Sequence, residues 1–207
     1  MESKYLKEFE ELNTTCKSIY DLGDFDVLII LKDGTNLTSW DDVEDKCDVI
    51  YVSENLSSYT NLKGKYRFFR SLKAIVACGV TDKVTDMGDM FCGCQSLADI
   101  SSLKSWDVSN VRNMDGMSAD CRTLADLSPL GLWDVSSVRS LEMMFFFCKG
   151  LRDISPLANW NLSSLNASYA GGMFEGCSYS LDFSLIKGVD VEILIDSGWD
   201  FTGWRDD

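Results

Sequence analysis

Histidine is absent from this 207-residue chain. That removes both the commonest proton-transfer side chain near neutral pH and the commonest nitrogen ligand of metal ions. Positive charge is scarce: 19 Lys and Arg stand against 33 Asp and Glu, a formal charge of −14. The deficit runs along the whole chain, net −5 up to residue 70 and net −9 beyond it. Phosphate backbones and anionic membranes are repelled by such a surface. Direct nucleic-acid or membrane binding is therefore not expected, whereas a protein partner with a basic surface is. No apolar run approaches the roughly 20 residues needed to cross a bilayer. The opening "MESKYLKEFEELNTTCKSIY" lacks the basic start and apolar centre of a secretion signal, which points to a cytoplasmic protein unless a signal has been trimmed. Missing too are a glycine-rich phosphate loop ahead of a helix and any nucleophile motif. The acidic cluster Asp41, Asp42, Glu44 and Asp45 lacks calcium-loop spacing and reads as a solvated helix start. A protein without catalytic activity, cofactor or metal site is expected.

What is present is repetition. "WDVSNVRNMDGM" from Trp106 returns as "WDVSSVRSLEMM" from Trp133 and, more loosely, as "WNLSSLNASYAGGM" from Trp160. Cys94, Cys121 and Cys148 keep the same 27-residue step. So do Leu97, Leu124 and Leu151, and so do Met90, Met117 and Met144. A fixed period in so many columns is the signature of stacked units that share one core. From Val84 the apolar positions Val84, Met87, Met90/Phe91, Cys94 and Leu97 follow helical spacing. After Leu97 that rhythm fails, and Ser, Pro129 and Pro156 suit a short strand and a corner. The expected fold class is α/β, a right-handed leucine-rich-repeat-like solenoid with a helix and a short parallel strand in each 27-residue coil. The tryptophan column is read as rungs of the core. Eight cysteines suggest disulfides by their even number. Helices of neighbouring coils would lie about 8–10 Å apart, too far for a bridge, so the cysteine column is read as buried reduced thiols.

The stretches "MFCGCQSLADISSLKSWDVSNVRNM" and "MFFFCKGLRDISPLANWNLSSLNAS" resemble the repeats of BspA-type leucine-rich-repeat surface proteins and the related repeats of mycoplasma surface lipoproteins. The resemblance covers about residues 80–185. It implies a solenoid used for adhesion or other protein contacts, with no catalytic motif to carry over.

Three regions are expected: an α/β N-terminal cap over 1–70, about four repeat coils over 71–186, and a C-terminal cap over 187–207. In the first cap "LKEFEEL" reads as a helix, and "DVLIILKDG" and "CDVIYVS" as strands. In the last, "VDVEILID" reads as a strand, with Trp199 and Trp204 covering the end. Two surfaces are candidates for partner binding. Asp99, Asp126 and Asp153, continued by Asp182, are expected to form a column along the sheet. At a strand spacing of about 4.8 Å, neighbouring carboxylates repel by about 0.9 kcal/mol even in water. Either a basic partner covers the column or each Asp accepts hydrogen bonds from the next coil's backbone. The second surface gathers Met143, Phe146 and Phe147, apolar where other units are polar, with Tyr169 and Tyr179 in inserted loops. The function expected is a non-catalytic protein-interaction module. The alternatives are an acidic nucleic-acid mimic that inhibits a nucleic-acid-binding enzyme (an anti-defence, anti-CRISPR-like role) and a surface adhesin fragment.

Overall fold

The computed structural model describes residues 29–30, 49–55, 58–78, 81–162, 165, 167–178 and 180–196. Strand β1 (Ile29–Ile30) pairs antiparallel with β2 (Val49–Asn55), and β2 pairs parallel with β3 (Leu72–Cys78). β2 falls on the β-branched, aromatic stretch "CDVIYVS", as expected. Ala74 of β3 forms a parallel bridge with Asp99, which passes the sheet edge on to the first complete repeat.

Successive repeats are tied by main-chain hydrogen bonds in the same alternating pattern. The amides of Met87, Asp89, Phe91 and Gly93 donate to the carbonyls of Asn113, Asp115, Met117 and Ala119 at 2.7–2.9 Å. Met114, Gly116, Ser118 and Asp120 do the same to Ser140, Glu142, Met144 and Phe146, and Leu141, Met143, Phe145 and Phe147 to Tyr169, Gly171, Met173 and Glu175. The amides between them turn back on their own unit: Met90 to Met87, Cys92 to Asp89, Cys94 to Phe91. Alternate amides therefore bond between units and within them, and this stretch of backbone is satisfied without a helix.

Three sequence expectations are corrected here. No α-helix runs from Val84 to Leu97; that stretch is a succession of tight turns. Turns repeating every three to four residues return side chains to one face just as a helix does, so the apolar spacing suits both. The turns prevail because two backbone positions in each unit are left-handed: Asp89 and Gly93, Gly116 and Asp120, Met143 and Phe147, Gly172 and Gly176. A right-handed helix cannot continue through such residues. In place of the strand expected after Leu97 there are 3-10 segments, Ser101–Ser105, Ser128–Leu130 and Ser155–Asn159. Pro129 and Pro156 stand at their starts, where a missing amide breaks no internal bond. The boundary placed after residue 70 also moves. Leu62, Gly64, Tyr66 and Phe68 already donate to Asp86, Gly88, Met90 and Cys92, so the stacked pattern begins near residue 61.

At the other end the expected strand "VDVEILID" is a one-turn helix, α1 (Val191–Ile195). The carbonyls of Ile193 and Leu194 accept from Gly172 and Phe174, and Leu194 is the helix's buried residue. Trp199, Trp204, the "LKEFEEL" helix and most of "DVLIILKDG" lie outside the described residues.

One contiguous core runs through the units. Tyr66 stacks on Phe91 (centroids 5.6 Å apart) and Phe145 on Phe174 (5.5 Å), while Ser118, buried, holds the position between the two pairs. Trp106, Trp133 and Trp160 are all buried. The indole N–H of Trp133 donates to the carbonyl of Leu103 at 2.9 Å, and that of Trp160 to Leu130 at 3.1 Å. Trp106 is the first rung, and the unit before it holds strand β3 where the later units hold a 3-10 segment. Among the described residues its indole N–H is buried without an acceptor. Trp133→Phe should therefore destabilise the protein by about 1 kcal/mol more than Trp106→Phe, the worth of one hydrogen bond. Denaturant unfolding of the two variants measures the difference, and equal costs would contradict this assignment.

Candidate functional site

The aspartate column is built from turns. Asp99, Asp126, Asp153 and Asp182 each close a two-residue ring. Their Oδ1 atoms accept from the amides of Ser101, Ser128 and Ser155 at 2.8 Å and of Ser184 at 3.1 Å. Aspartate suits this place because its short carboxylate reaches the amide two residues on and starts the 3-10 segment that follows. This corrects the alternative in which each carboxylate accepts from the next coil's backbone: at Asp126, Asp153 and Asp182 the donor amide belongs to the same unit. Asp126, Asp153 and Asp182 are exposed, and Asp99 is half-buried.

A second column follows the same rule. Asp107 and Asp134, the aspartates of the two "WDVS" motifs, accept from the amides of Ser109 and Ser136 at 3.0 Å. A third corner has Asp86 accepting from Gly88 and Asn113 from Asp115, and Asn113 Nδ2 also donates to Asp86 Oδ1 at 3.0 Å. The signal missed in the sequence was an Asp or Asn two residues before a Ser or another turn residue, recurring at each corner. At Asp107, Asp134 and Asp153 the turn bonds also favour the charged form. The serine hydroxyls hold Asp107 and Asp134 below the usual carboxylate range, followed by the serine amides. For Asp153 the Ser155 amide acts first and the Ser155 hydroxyl second. Asp115 behaves oppositely: burial raises it, against the hydrogen bond from Ser140. Along the 3-10 wall, then, the sequence places a row of carboxylates bonded within their own turns, with no competing role in the core.

The apolar candidates separate. Phe146 is buried, and Met143 and Phe147 are half-buried. Phe147 packs on Phe146 with centroids 4.5 Å apart and covers Gly176 of the next unit. The expectation of an open patch at Met143, Phe146 and Phe147 is thus corrected, since Phe146 belongs to the interior. Tyr169 is 51% exposed and remains available. Tyr179 lies outside the described residues.

The cysteine column carries no bridge. Cys94, Cys121, Cys148 and Cys177 are free and buried. Their Sγ atoms donate to the carbonyls of Tyr66, Phe91, Ser118 and Phe145 at 3.0–3.2 Å. Units joined by direct main-chain bonds are closer than the helical spacing assumed from sequence. It is the hydrogen bond from each thiol to the preceding unit, rather than distance, that gives every sulfur its own partner. Burial raises all four thiols and takes Cys177 to about 12, so thiolate chemistry at neutral pH is suppressed. Among the described residues no group of three or more Cys, Asp or Glu could hold a metal ion. No described helix is long and apolar enough to cross a membrane.

The family described as Mycoplasma protein of unknown function, DUF285, matches residues 60–183, more than half of the chain. The match begins where the stacked pattern begins. Neither a curated protein nor a solved structure matches the chain.

Proposed function

From the premise that the chain belongs to the DUF285 family, we propose that it is a non-catalytic protein-binding module. Its fold is a right-handed solenoid of the BspA-type leucine-rich-repeat kind, and its acidic wall meets a basic protein surface. One observation carries this reading: Asp126, Asp153 and Asp182 recur, exposed, at the same corner of consecutive units. Units one strand spacing apart put like charges about 5 Å from each other, a costly arrangement in the free protein that a cationic partner relieves. Charge of this kind chiefly sets partner choice and association rate.

The turn bonds show how to test it. Asparagine keeps the Oδ1 acceptor and removes the charge, whereas alanine removes both. The triple Asn variant at Asp126, Asp153 and Asp182 should melt at the wild-type temperature or slightly above. It should capture far less of the partner from host lysate, with the wild-type complex dissolving as salt rises. The triple Ala variant should melt lower. If the Asn variant captures as much as wild type, the carboxylates are corner pieces alone and the reading fails.

A further inference from the structure

A second surface, of opposite charge, has no role in that reading. Arg112 and Arg139 are exposed, and the Arg139 amide donates to the Arg112 carbonyl at 2.8 Å, which fixes the two in adjacent units. Among the described residues neither guanidinium makes an ion pair or hydrogen bond. In a chain of net charge −14, two unpaired cations one strand spacing apart stand out. They border a groove of about 520 Å³ with Ser136, Ser137 and Tyr169, a volume in the range of small-molecule sites. Val138 and Leu165, both buried, supply its apolar lining. Of the acids near these arginines in sequence, Asp134 has its Oδ1 closed onto the Ser136 amide and Asp115 its Oδ1 onto Ser140 and the Glu142 amide, and neither they nor Glu142 line the groove.

We propose that this groove binds the phosphate group of a small phosphate monoester. A doubly charged, tetrahedral anion matches two guanidinium forks and the Ser137 hydroxyl together, while a planar carboxylate would satisfy a single fork. Tyr169, 51% exposed at the groove's edge, gives the organic part of the ester a ring to lie against. The insertion that lengthens this unit brings Tyr169 to the groove, and its main chain is tied in by the amide of Leu141.

The test is a calorimetric titration of the full chain with inorganic phosphate and with phenyl phosphate, in a buffer free of other oxyanions. Both should bind saturably, phenyl phosphate the more tightly. Arg112→Gln and Arg139→Gln should each weaken phenyl phosphate about tenfold, the worth of a charge-assisted hydrogen bond. Neither should change the melting temperature, because both side chains are exposed. Tyr169→Ala should bring phenyl phosphate down to the affinity of inorganic phosphate. Arg152→Gln serves as the control, because its guanidinium is engaged with the carbonyls of Lys149 and Leu151. Absence of saturable binding overturns the proposal. So does equal affinity for the two probes, or an Arg152 variant weakened as much as the other two.

Discussion

Gly150→Ala is expected to destabilise the protein by about 3 kcal/mol, toward the upper end for overpacking a rigid site. A methyl group at residue 150 would stand 2.7 Å from the carbonyl oxygen of Leu124 and 2.8 Å from that of Arg122. Both atoms are main chain, so no rotamer change can relieve the contact. The units themselves would have to part, and the bonds joining Thr123 to Gln95 and Leu151 to Cys148 lie beside the point of strain. For a chain of this length, 3 kcal/mol corresponds to a melting temperature lower by about 6–12 °C. Gly64→Ala is the control, since nothing lies within 4 Å of its methyl position and the only cost is a left-handed φ of 64°. That penalty is about 1 kcal/mol. Should the two variants melt together, close packing between units is not what residue 150 provides.

The second large effect is expected at Gly176, and it depends on a partner. A methyl group there would lie 2.4 Å from Cδ2 of Phe147, at a residue whose φ is 72°. The ring has little room to move, being packed on Phe146 with Lys149 Nζ 5.4 Å from its centroid. Gly176→Ala should cost about 2–3 kcal/mol, of which about 1 kcal/mol is backbone conformation. In a Phe147→Gly background only the conformational part should remain. The coupling energy from the four proteins, about 1 kcal/mol or more, is read from denaturant unfolding. Simple additivity would show that ring and glycine do not meet. The first units contain the same device: a methyl group on Gly93 would stand 2.4 Å from Cδ1 of Phe68.

The repeat period and the interior were legible in the sequence, because burial marks a column in every unit. Val84, Val111 and Val138, the four cysteines and the three tryptophans are all buried as their spacing requires. Local conformation was not legible. Hydrophobic spacing of three and four cannot distinguish a helix from consecutive tight turns, since both bring side chains back to one face. The distinguishing mark was two left-handed positions four residues apart. Glycine advertises them at Gly93, Gly116, Gly172 and Gly176, but Met143 and Phe147 occupy the same places and obscure the pattern. Misplacing that third unit on a helix also made Phe146 look like an outward-facing residue. The aspartates were found and their hydrogen-bond donors were not, because a bond to the amide two residues on depends on a turn that the apolar pattern does not report. Arg112 and Arg139 escaped notice for a related reason. One basic residue per unit is unremarkable in sequence, and the pair acquires meaning only once the two units are bonded side by side.

The four thiols that donate to carbonyls have one more consequence. Each sulfur is buried, satisfied and protonated, and none is called upon to cross-link the chain. A column of thiols fastened this way does not depend on the redox poise around it. Glutathione has no bridge to open in that column, and a mild oxidant meets no thiolate there. The same stack of units would hold its shape in a reducing cytosol or an oxidising exterior, so the choice of compartment is left to whatever the surface must meet.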